Sequence, residues 1–222
     1  MLSHIVLEIN GPDPPWQARI IANKYPALTP RGDLKREKQG IYTAMDGYGH
    51  HEVIVESPHH NRHFPAMTFQ EAEIVIQCYH RRYTELMKMD RNMAVIIFRN
   101  HGRRAGASLF HPHSQVISTG VVPSHIRSRE CGALTYYDQW GRCVYCDILE
   151  EELRFGRRIV GENGSFVSFV PYAAETPFEV WVLPRIHRAD FGDISDGEKT
   201  DLASILLLLL QKLSVKLGDP DY

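Results

Sequence analysis

The feature that most constrains the fold of this chain is an internal repeat with an offset of 127 residues. The segment His51–Ser57 has a counterpart at Phe178–Pro184, and both share the pattern Glu-Val-Xxx-Val. Two further pairs are related by the same offset: His60 with His187, and Glu71 with Glu198. A pattern that recurs at a fixed offset indicates copies of one structural unit. The repeat therefore predicts two tandem units of similar construction.

Each unit is predicted to contain strands followed by a helix. Residues 51–57 alternate in polarity as a strand does. Thr68, with Glu71 three residues later, has the capping-box pattern of a helix start, and apolar residues recur at helical spacing as far as residue 86. The matching helix of the second unit is predicted at 196–217. Residues 123–142 are predicted to form a polar connection.

Composition excludes several classes of protein. A formal net charge of −2 gives no electrostatic basis for binding nucleic acid or an anionic membrane. The apolar run Ile205–Leu210 is far too short to span a bilayer, and residues 1–10 lack the basic start and long apolar core of a signal peptide. The four cysteines suit a reducing compartment. We expect a soluble, cytoplasmic protein without nucleic-acid or membrane partners.

The segment Phe98–Gln115 carries the strongest indication of chemistry. It follows an apolar run predicted to be a buried strand, and its glycines, Gly102 and Gly106, are expected to leave backbone amides free to cradle an anion. Arg103 and Arg104 bring positive charge to the same loop. The two arginines are equally consistent with solvated surface charges. The loop as a whole predicts a phosphate-binding site.

The end of this segment reads His111-Pro112-His113-Ser114-Gln115. In an extended conformation, alternation places His111, His113 and Gln115 on one face. A neutral imidazole whose second nitrogen is held by a partner can attack phosphorus. A lone histidine is more often structural, but two histidines beside a glycine-rich loop favour a catalytic role. The sequence thus predicts phosphoryl-group chemistry here.

Three short motifs carry a family resemblance: Asn-His-Gly at 100–102, Ala-Gly-Ala-Ser at 105–108 and His-Pro-His-Ser-Gln at 111–115. In this order and spacing they resemble the active-site segment of the galactose-1-phosphate uridylyltransferase family, in the histidine-triad superfamily. The similarity extends from Trp16 to Tyr222.

The resemblance implies an α+β fold of two tandem histidine-triad-like units, each an antiparallel sheet with a packed helix. The units are expected at residues 1–125 and 126–222. The second is expected to be incomplete, because counterparts of His111 and His113 would fall beyond Tyr222. We therefore expect a family member shortened at both ends.

The implied activity is ping-pong transfer of UMP from UDP-glucose to galactose 1-phosphate through a covalent nucleotidyl-histidine. His113 matches the nucleophile, and Gln115 matches the amide that contacts the transferred phosphoryl group. The nucleotide and phosphate contacts are matched by Asn23, Asn100, Gly106 and Ser108, with Arg103 or Arg104 stabilising negative charge. Asn23 is equally explained as a turn residue before Pro26. An amide has no useful pKa, which favours transfer over hydrolysis.

The family also implies zinc as a cofactor. His111 matches one ligand, and His60 matches another through the segment Ser57-Pro58-His59-His60. His59 and His63 lie nearby, and family register selects His60. The family supplies two further ligands from an upstream Cys-Xxx-Xxx-Cys, whereas no cysteine precedes position 78 in this chain. Either the metal is lost, or other groups complete the site, or an N-terminal segment is missing.

A second zinc site is predicted at Cys143 and Cys146. Their Cys-Xxx-Xxx-Cys spacing suits either a metal site or a redox pair, and the preceding Trp-Gly-Arg sequence favours metal. Some relatives of the family, including ADP-sugar phosphorylase-like members, place a second zinc on such a pair. His187 is the expected third ligand.

Two alternatives to uridylyl transfer remain. A phosphorylase or adenylyltransferase acting on ADP-sugars or dinucleoside tetraphosphates is favoured by the Cys143 pair and by Lys24, which stands where the family is often acidic. An inactive nucleotide-binding protein is favoured by the termini expected to be missing. If the protein is an enzyme of either kind, its partners are a nucleoside diphosphate sugar and a sugar 1-phosphate. Relatives form dimers, so a homodimer is compatible with the resemblance; the base, the hexose and the oligomeric state stay open.

Overall fold

The structure is a computed structural model that describes residues 5–222. Residues 1–4, part of the stretch in which no signal peptide is expected, lie outside this range. The chain divides into two compact units, residues 5–122 together with 219–222, and Pro123–Gly218. Among the described helices, none combines the length and apolarity that crossing a membrane requires.

The first unit is built on an antiparallel sheet. Its strands, in chain order, are β1 (Ile5–Asn10), β2 (Trp16–Ala22), β3 (Glu37–Gln39), β4 (Tyr42–Ala44), β5 (Gly49–Val55), β6 (Ala94–Phe98) and β7 (His113–Thr119). Five of them form one sheet in the order β1-β2-β5-β7-β6, while β3 and β4 form a separate hairpin. All pairings within the large sheet are antiparallel.

The two faces of this sheet differ in burial. On β7, Ser114, Val116 and Ser118 are buried, and the alternating residues that include His113 and Gln115 are only half-buried. The buried face contributes to a core whose members are Leu7, Ala18, Ile20, Ile54, Cys78, Leu86 and Val116. The period of two thus puts the predicted catalytic side chains together on the open face.

Helix α1 (Phe69–Met87) supplies the other side of that core. It begins as the sequence predicts: the Glu71 amide donates to the Thr68 hydroxyl (3.3 Å), and the Thr68 amide donates to the Glu71 carboxylate (2.6 Å). Arg62 adds two hydrogen bonds to the same carboxylate. Within the helix, burial raises the pKa of Cys78 to about 12, which makes it an unreactive core thiol.

The second unit repeats this construction in reduced form. Its elements are α2 (Ser124–Trp140), α3 (Val144–Phe155), β8 (Ile159–Glu162), β9 (Phe166–Phe169), β10 (Trp181–Pro184) and α4 (Asp196–Leu217). The three strands form an antiparallel sheet, with β9 in the centre. Helix α4 also begins with a capping box, between Ser195 and Glu198, and Arg188 pairs with the glutamate. The repeat is therefore present in structure as a strand followed by a capped helix.

Residues 123–142 correct one prediction. The sequence predicts only a polar connection here, whereas the structure has helix α2, which ends where Gly141 adopts a φ of +67°. None of its residues is buried. Since an exposed helix needs no apolar stripe, the periodicity that identifies core-facing helices is absent from this segment.

Candidate active site

The glycine-rich loop between β6 and β7 is folded tightly on itself. Gly102 and Gly106 have φ angles of +82° and +89°, which side chains rarely adopt. The resulting turns let the Ala107 amide donate to the Gly102 carbonyl (3.0 Å) and the Gly106 amide donate to the Arg103 carbonyl (3.0 Å). The expectation that the Gly106 amide is free for an anion is therefore wrong, because the loop itself uses that amide.

Several predicted site residues line one cavity beside this loop. The cavity has a volume of about 220 Å³, and its walls include Asn100, Arg103, Ser108 and His113. The Asn100 side-chain amide donates to the carbonyl of Ala105 within the loop (2.7 Å). The structure thus brings the predicted nucleophile and three predicted phosphate contacts to one place. The exposed Arg104 side chain is not among the residues that form these walls.

His113 begins β7 and is oriented by its own strand. Its Nδ1 lies 2.8 Å from the carbonyl oxygen of His111. Because a carbonyl can only accept, Nδ1 carries the proton, and Nε2 of the neutral ring has the free lone pair. Nε2 is therefore the nitrogen that can attack an electrophile. The tautomer that the sequence hypothesis requires has a structural cause.

A buried polar network lies beneath β7 on the opposite face. The side chain of Glu56 is fully buried and accepts hydrogen bonds from the hydroxyls of Tyr79 (2.7 Å) and Ser114 and from the guanidinium of Arg99. Burial, followed by the nearby Glu56 carboxylate, raises the pKa of Tyr79 well above its usual value, so the phenol remains a donor. The network holds Ser114, and with it the strand that carries the two site side chains. Its members come from four separate segments of the chain, so no single sequence motif indicates it.

His60 and His111 are placed as a metal-binding pair would be. Their Nδ1 atoms lie 3.3 Å apart. A tetrahedral ion held about 2.0–2.1 Å from each nitrogen requires a separation of about 3.3–3.4 Å. The Nε2 atom of His111 lies 2.7 Å from the Ser57 carbonyl, which leaves Nδ1 unprotonated for a metal. His63 instead packs edge-on against the ring of His101.

The geometry of this pair fits zinc, but the donor set is small. Within residues 5–222, no group of three or more His, Cys, Asp or Glu ligand atoms within 4.8 Å of one another includes His60 or His111. Two imidazoles are half of the four ligands that a closed zinc site uses.

Asn23 and Gln115 meet at His51, which no sequence motif singles out. Gln115 Oε1 lies 2.8 Å from His51 Nε2, and Asn23 Nδ2 lies 3.1 Å from the same nitrogen. The Asn23 side-chain oxygen accepts from the amide of Tyr25 (2.9 Å), as expected of a turn residue before Pro26. Asn23 therefore shapes the turn, and its amide nitrogen is directed toward the His51 ring.

Residues 219–222 belong to the first unit and contact the glycine-rich loop. His101 and Tyr222 exchange two backbone hydrogen bonds (2.7 and 3.0 Å). The Asp221 carboxylate accepts from the backbone amide of Arg104 (2.5 Å). Two carboxylates of this segment also line the cavity. A stretch that follows the last helix thus contributes to the site, although its sequence shows no motif.

The second unit contains the other predicted metal group. Ligand atoms of Cys143, Cys146 and His187 all lie within 4.8 Å of one another, and Cys146 Sγ is 3.2 Å from His187 Nδ1. Cys143 precedes the first residue of α3, and Cys146 lies in its first turn. A helix start also suits a redox pair, but two sulfurs with an imidazole are a donor set suited to zinc. These residues fit three of four zinc ligands.

Two family descriptions match the chain. The N-terminal domain of galactose-1-phosphate uridyl transferase matches residues 14–123, and the C-terminal domain of the same enzyme matches residues 95–218. The chain belongs to the galactose-1-phosphate uridyl transferase family. The resemblance drawn from the three loop motifs is thereby confirmed.

Relatives within the uridyl transferase family have two different activities. ADP-glucose phosphorylase of Arabidopsis thaliana is 32% identical over 212 residues, which cover 95% of this chain and 59% of that protein. Galactose-1-phosphate uridylyltransferase of Thermotoga maritima is 29% identical over 201 residues, which cover 90% and 62%. The chain thus spans about three-fifths of the length of each relative.

Solved structures of the uridyl transferase family share the fold. The crystal structure of ADP-glucose phosphorylase from Arabidopsis thaliana with bound ADP-glucose superposes with a TM-score of 0.85 at 30% identity. The match covers 99% of this chain and 67% of that one. The predicted α+β class with antiparallel sheets and packed helices is confirmed.

Proposed function

We propose that this chain transfers a nucleotidyl group from a nucleoside diphosphate sugar to a phosphate-bearing acceptor, through a covalent bond to His113. The observation that carries the proposal is the hydrogen bond from His113 Nδ1 to the His111 carbonyl. It leaves Nε2 as the nucleophile at the wall of a cavity of about 220 Å³. Both named relatives act on sugar nucleotides or sugar phosphates, which supports this reaction class.

Both displacement steps at the α-phosphorus can proceed with the His113 imidazole as nucleophile and then as leaving group. The Nε2 lone pair attacks the α-phosphorus, and the bond from that phosphorus to the bridging oxygen breaks, so the sugar 1-phosphate leaves with the electron pair. Positive charge on the imidazole is stabilised because Nδ1–H remains bonded to the His111 carbonyl. An acceptor phosphate oxygen then attacks the same phosphorus and expels neutral imidazole. Because a phosphate is a good leaving group, the site needs no third histidine as general acid.

Residues of the cavity, and Gln115 on the strand beside it, stabilise charge during both steps. The phosphoryl oxygens need hydrogen-bond donors that are already in place. Gln115 lies two residues along the same strand face as His113 and presents an amide. Arg103, Asn100 and Ser108 line the same cavity and supply a cation, an amide and a hydroxyl.

His60 and His111 would hold a zinc ion, and Cys143, Cys146 and His187 would hold a second. At the first position the ion would anchor the ring of His111, whose carbonyl orients the nucleophile. At the second it would stabilise the start of α3. Zinc is thereby assigned a structural role.

For the substrates, we propose UDP-glucose as donor and galactose 1-phosphate as acceptor, with ADP-glucose phosphorolysis as the second candidate. The first follows the uridylyltransferase relatives. The second is favoured by the Cys143, Cys146 and His187 cluster and by the ADP-glucose phosphorylase relative. The free thiols of all four cysteines are compatible with a cytoplasmic location.

The decisive experiment uses UDP-glucose and ADP-glucose, each radiolabelled in the α-phosphate. The 222-residue chain should acquire acid-labile label from one of them, and His113→Ala should acquire none. His125→Ala, which removes an exposed histidine from α2, is the matched control and should label normally. Label on the His113→Ala protein would overturn the proposal. Nucleotide binding without label on the parent would identify an inactive binding protein instead.

The choice between the two donors is made by the second half of the reaction. Labelled protein should release UDP-galactose when galactose 1-phosphate is added, if the uridylyltransferase reading holds. Release of ADP on addition of inorganic phosphate would establish the phosphorylase reading. Light scattering during size-exclusion chromatography would show whether the chain forms a homodimer.

A further inference from the structure

We propose that His51 is a positioning residue that fixes the amide of Gln115 so that its N–H groups, and not its carbonyl, face the transferred phosphoryl group. The inference rests on the proposed nucleotidyl transfer, and it concerns a residue outside every sequence motif. His51 lies on β5, two strand positions from Val53, which pairs directly with Gln115. Its ring is half-buried on the open face of the sheet.

The tautomer of His51 is determined by a backbone contact. The amide nitrogen of Ala27 lies 3.0 Å from His51 Nδ1. A backbone amide can only donate, so Nδ1 must be the unprotonated nitrogen. In the neutral ring the proton is then on Nε2. The connection after β2 thus sets the hydrogen-bonding role of the nitrogen that faces Gln115.

That nitrogen in turn orients Gln115. His51 Nε2 lies 2.8 Å from Gln115 Oε1, and with its proton in place it donates to this oxygen. Because the Gln115 oxygen is held by His51, the two N–H donors of the same amide point away from the His51 ring. If the amide were reversed, two N–H groups would face each other across 2.8 Å, which is repulsive. The ring therefore selects one of the two amide orientations.

Asn23 makes the arrangement more selective. Its Nδ2 lies 3.1 Å from His51 Nε2, but a protonated Nε2 cannot accept a hydrogen bond from it. The Asn23 oxygen is already held by the Tyr25 amide (2.9 Å), so its orientation is also set. Because the Asn23 oxygen is engaged by Tyr25, Gln115 Oε1 is the acceptor that the Nε2 proton of His51 has within reach.

The orientation of Gln115 matters because the nucleotidyl-histidine step places negative charge on phosphoryl oxygens. An amide carbonyl aimed at them would repel the charge, whereas an N–H donor stabilises it. Misplacement of such a group by about 1 Å can reduce the rate roughly 100-fold. We therefore expect His51→Ala to slow labelling of His113 by about 10- to 100-fold at saturating donor.

Two conservative variants separate this role from simple support of the loop. His51→Gln places an amide N–H near the position of Nε2, so it can still donate to Gln115. His51→Asn places an oxygen near the position of Nδ1, so it can accept from Ala27 but cannot reach Gln115. We expect the glutamine variant to regain most of the labelling rate and the asparagine variant to remain as slow as alanine. Recovery by asparagine alone would show that His51 only holds the loop, and would overturn the proposal.

A double-mutant cycle tests the coupling directly. If His51 acts through Gln115, the pair His51→Ala with Gln115→Ala should label no more slowly than Gln115→Ala alone. If the two effects multiply, to within about twofold, His51 acts independently and the proposal fails. His125→Ala is the matched histidine control, and circular dichroism confirms that each variant is folded.

A measurement independent of activity separates this inference from the proposed function. Long-range proton–nitrogen NMR spectra of the ¹⁵N-labelled chain, compared with those of His51→Gln, identify the ring nitrogens of His51 in the neutral state. A proton on Nε2 supports the proposal, even if the chain labels with neither sugar nucleotide. A proton on Nδ1 overturns it, even if the chain is an active transferase.

Discussion

Replacing Glu56 with glutamine tests whether the buried network holds the catalytic strand. The Glu56 side chain is 0% exposed, and that of its partner Arg99 is 12% exposed. Burial by itself lowers the pKa of Arg99, but the Glu56 carboxylate raises it, so the net shift is upward. In the variant the guanidinium stays charged and loses its counterion. Removing one member of such a buried ion pair costs about 3–5 kcal/mol. We expect the free energy of unfolding to fall by about 3 kcal/mol, because glutamine still accepts a hydrogen bond.

Urea unfolding followed by circular dichroism measures this loss as a lower midpoint. Hydrogen exchange read by mass spectrometry should show lost protection in residues 113–119, which contain Ser114. Glu151→Gln is the matched control, because it breaks an ion pair with Arg154 in which both side chains are at least half exposed. It should leave the midpoint unchanged. If Glu56→Gln unfolds at the same urea concentration as Glu151→Gln, the network does not support the strand as we infer.

Three further perturbations probe the loop, the half-buried imidazole of His50 and the cysteine cluster. Gly102→Ala should lower the melting temperature and the labelling rate more than Gly106→Ala. Both glycines have positive φ, but only at Gly102 would a Cβ lie 2.2 Å from a carboxylate oxygen of Asp221. Equal effects of the two substitutions would contradict this. Burial lowers the pKa of His50 below 6.5, so the unfolded chain binds more protons, and the free energy of unfolding should fall as pH drops below about 6.5. His50→Gln should flatten that dependence. Zinc should slow thiol modification of Cys143 and Cys146, but not of the exposed cysteine in α2, and a chelator should reverse the protection.

Local chemistry made much of this fold predictable. The two capping boxes, at Thr68 and Ser195, involve residues three positions apart, and both helices start where the pattern indicates. In β7 the predicted alternation places His113 and Gln115 on one face, because strand geometry sets it directly, whereas His111 precedes the strand. Helix α2 was not predicted, because none of its residues is buried and its sequence therefore lacks the apolar periodicity of a core-facing helix.

The glycine-rich loop shows the limit of motif-based reasoning. Gly102 and Gly106 adopt the positive φ angles that glycine allows. Composition could not show that the amides of Gly106 and Arg104 are engaged, the first by a loop carbonyl and the second by Asp221. Small residues make an anion cradle sterically allowed, but the partners that compete for the amides come from the folded chain.

The sequence alone therefore determined the features that depend on neighbours along the chain: the repeat, the helix starts and the shared strand face of His113 and Gln115. Tertiary structure decided which distant groups complete the site, among them Glu56 beneath the strand and His51 beside Gln115. Such contacts depend on the register of paired strands, where a shift of one residue would turn every side chain to the opposite face. No local pattern specifies that register, and so the groups that orient the catalytic side chains emerge only once the sheet has formed.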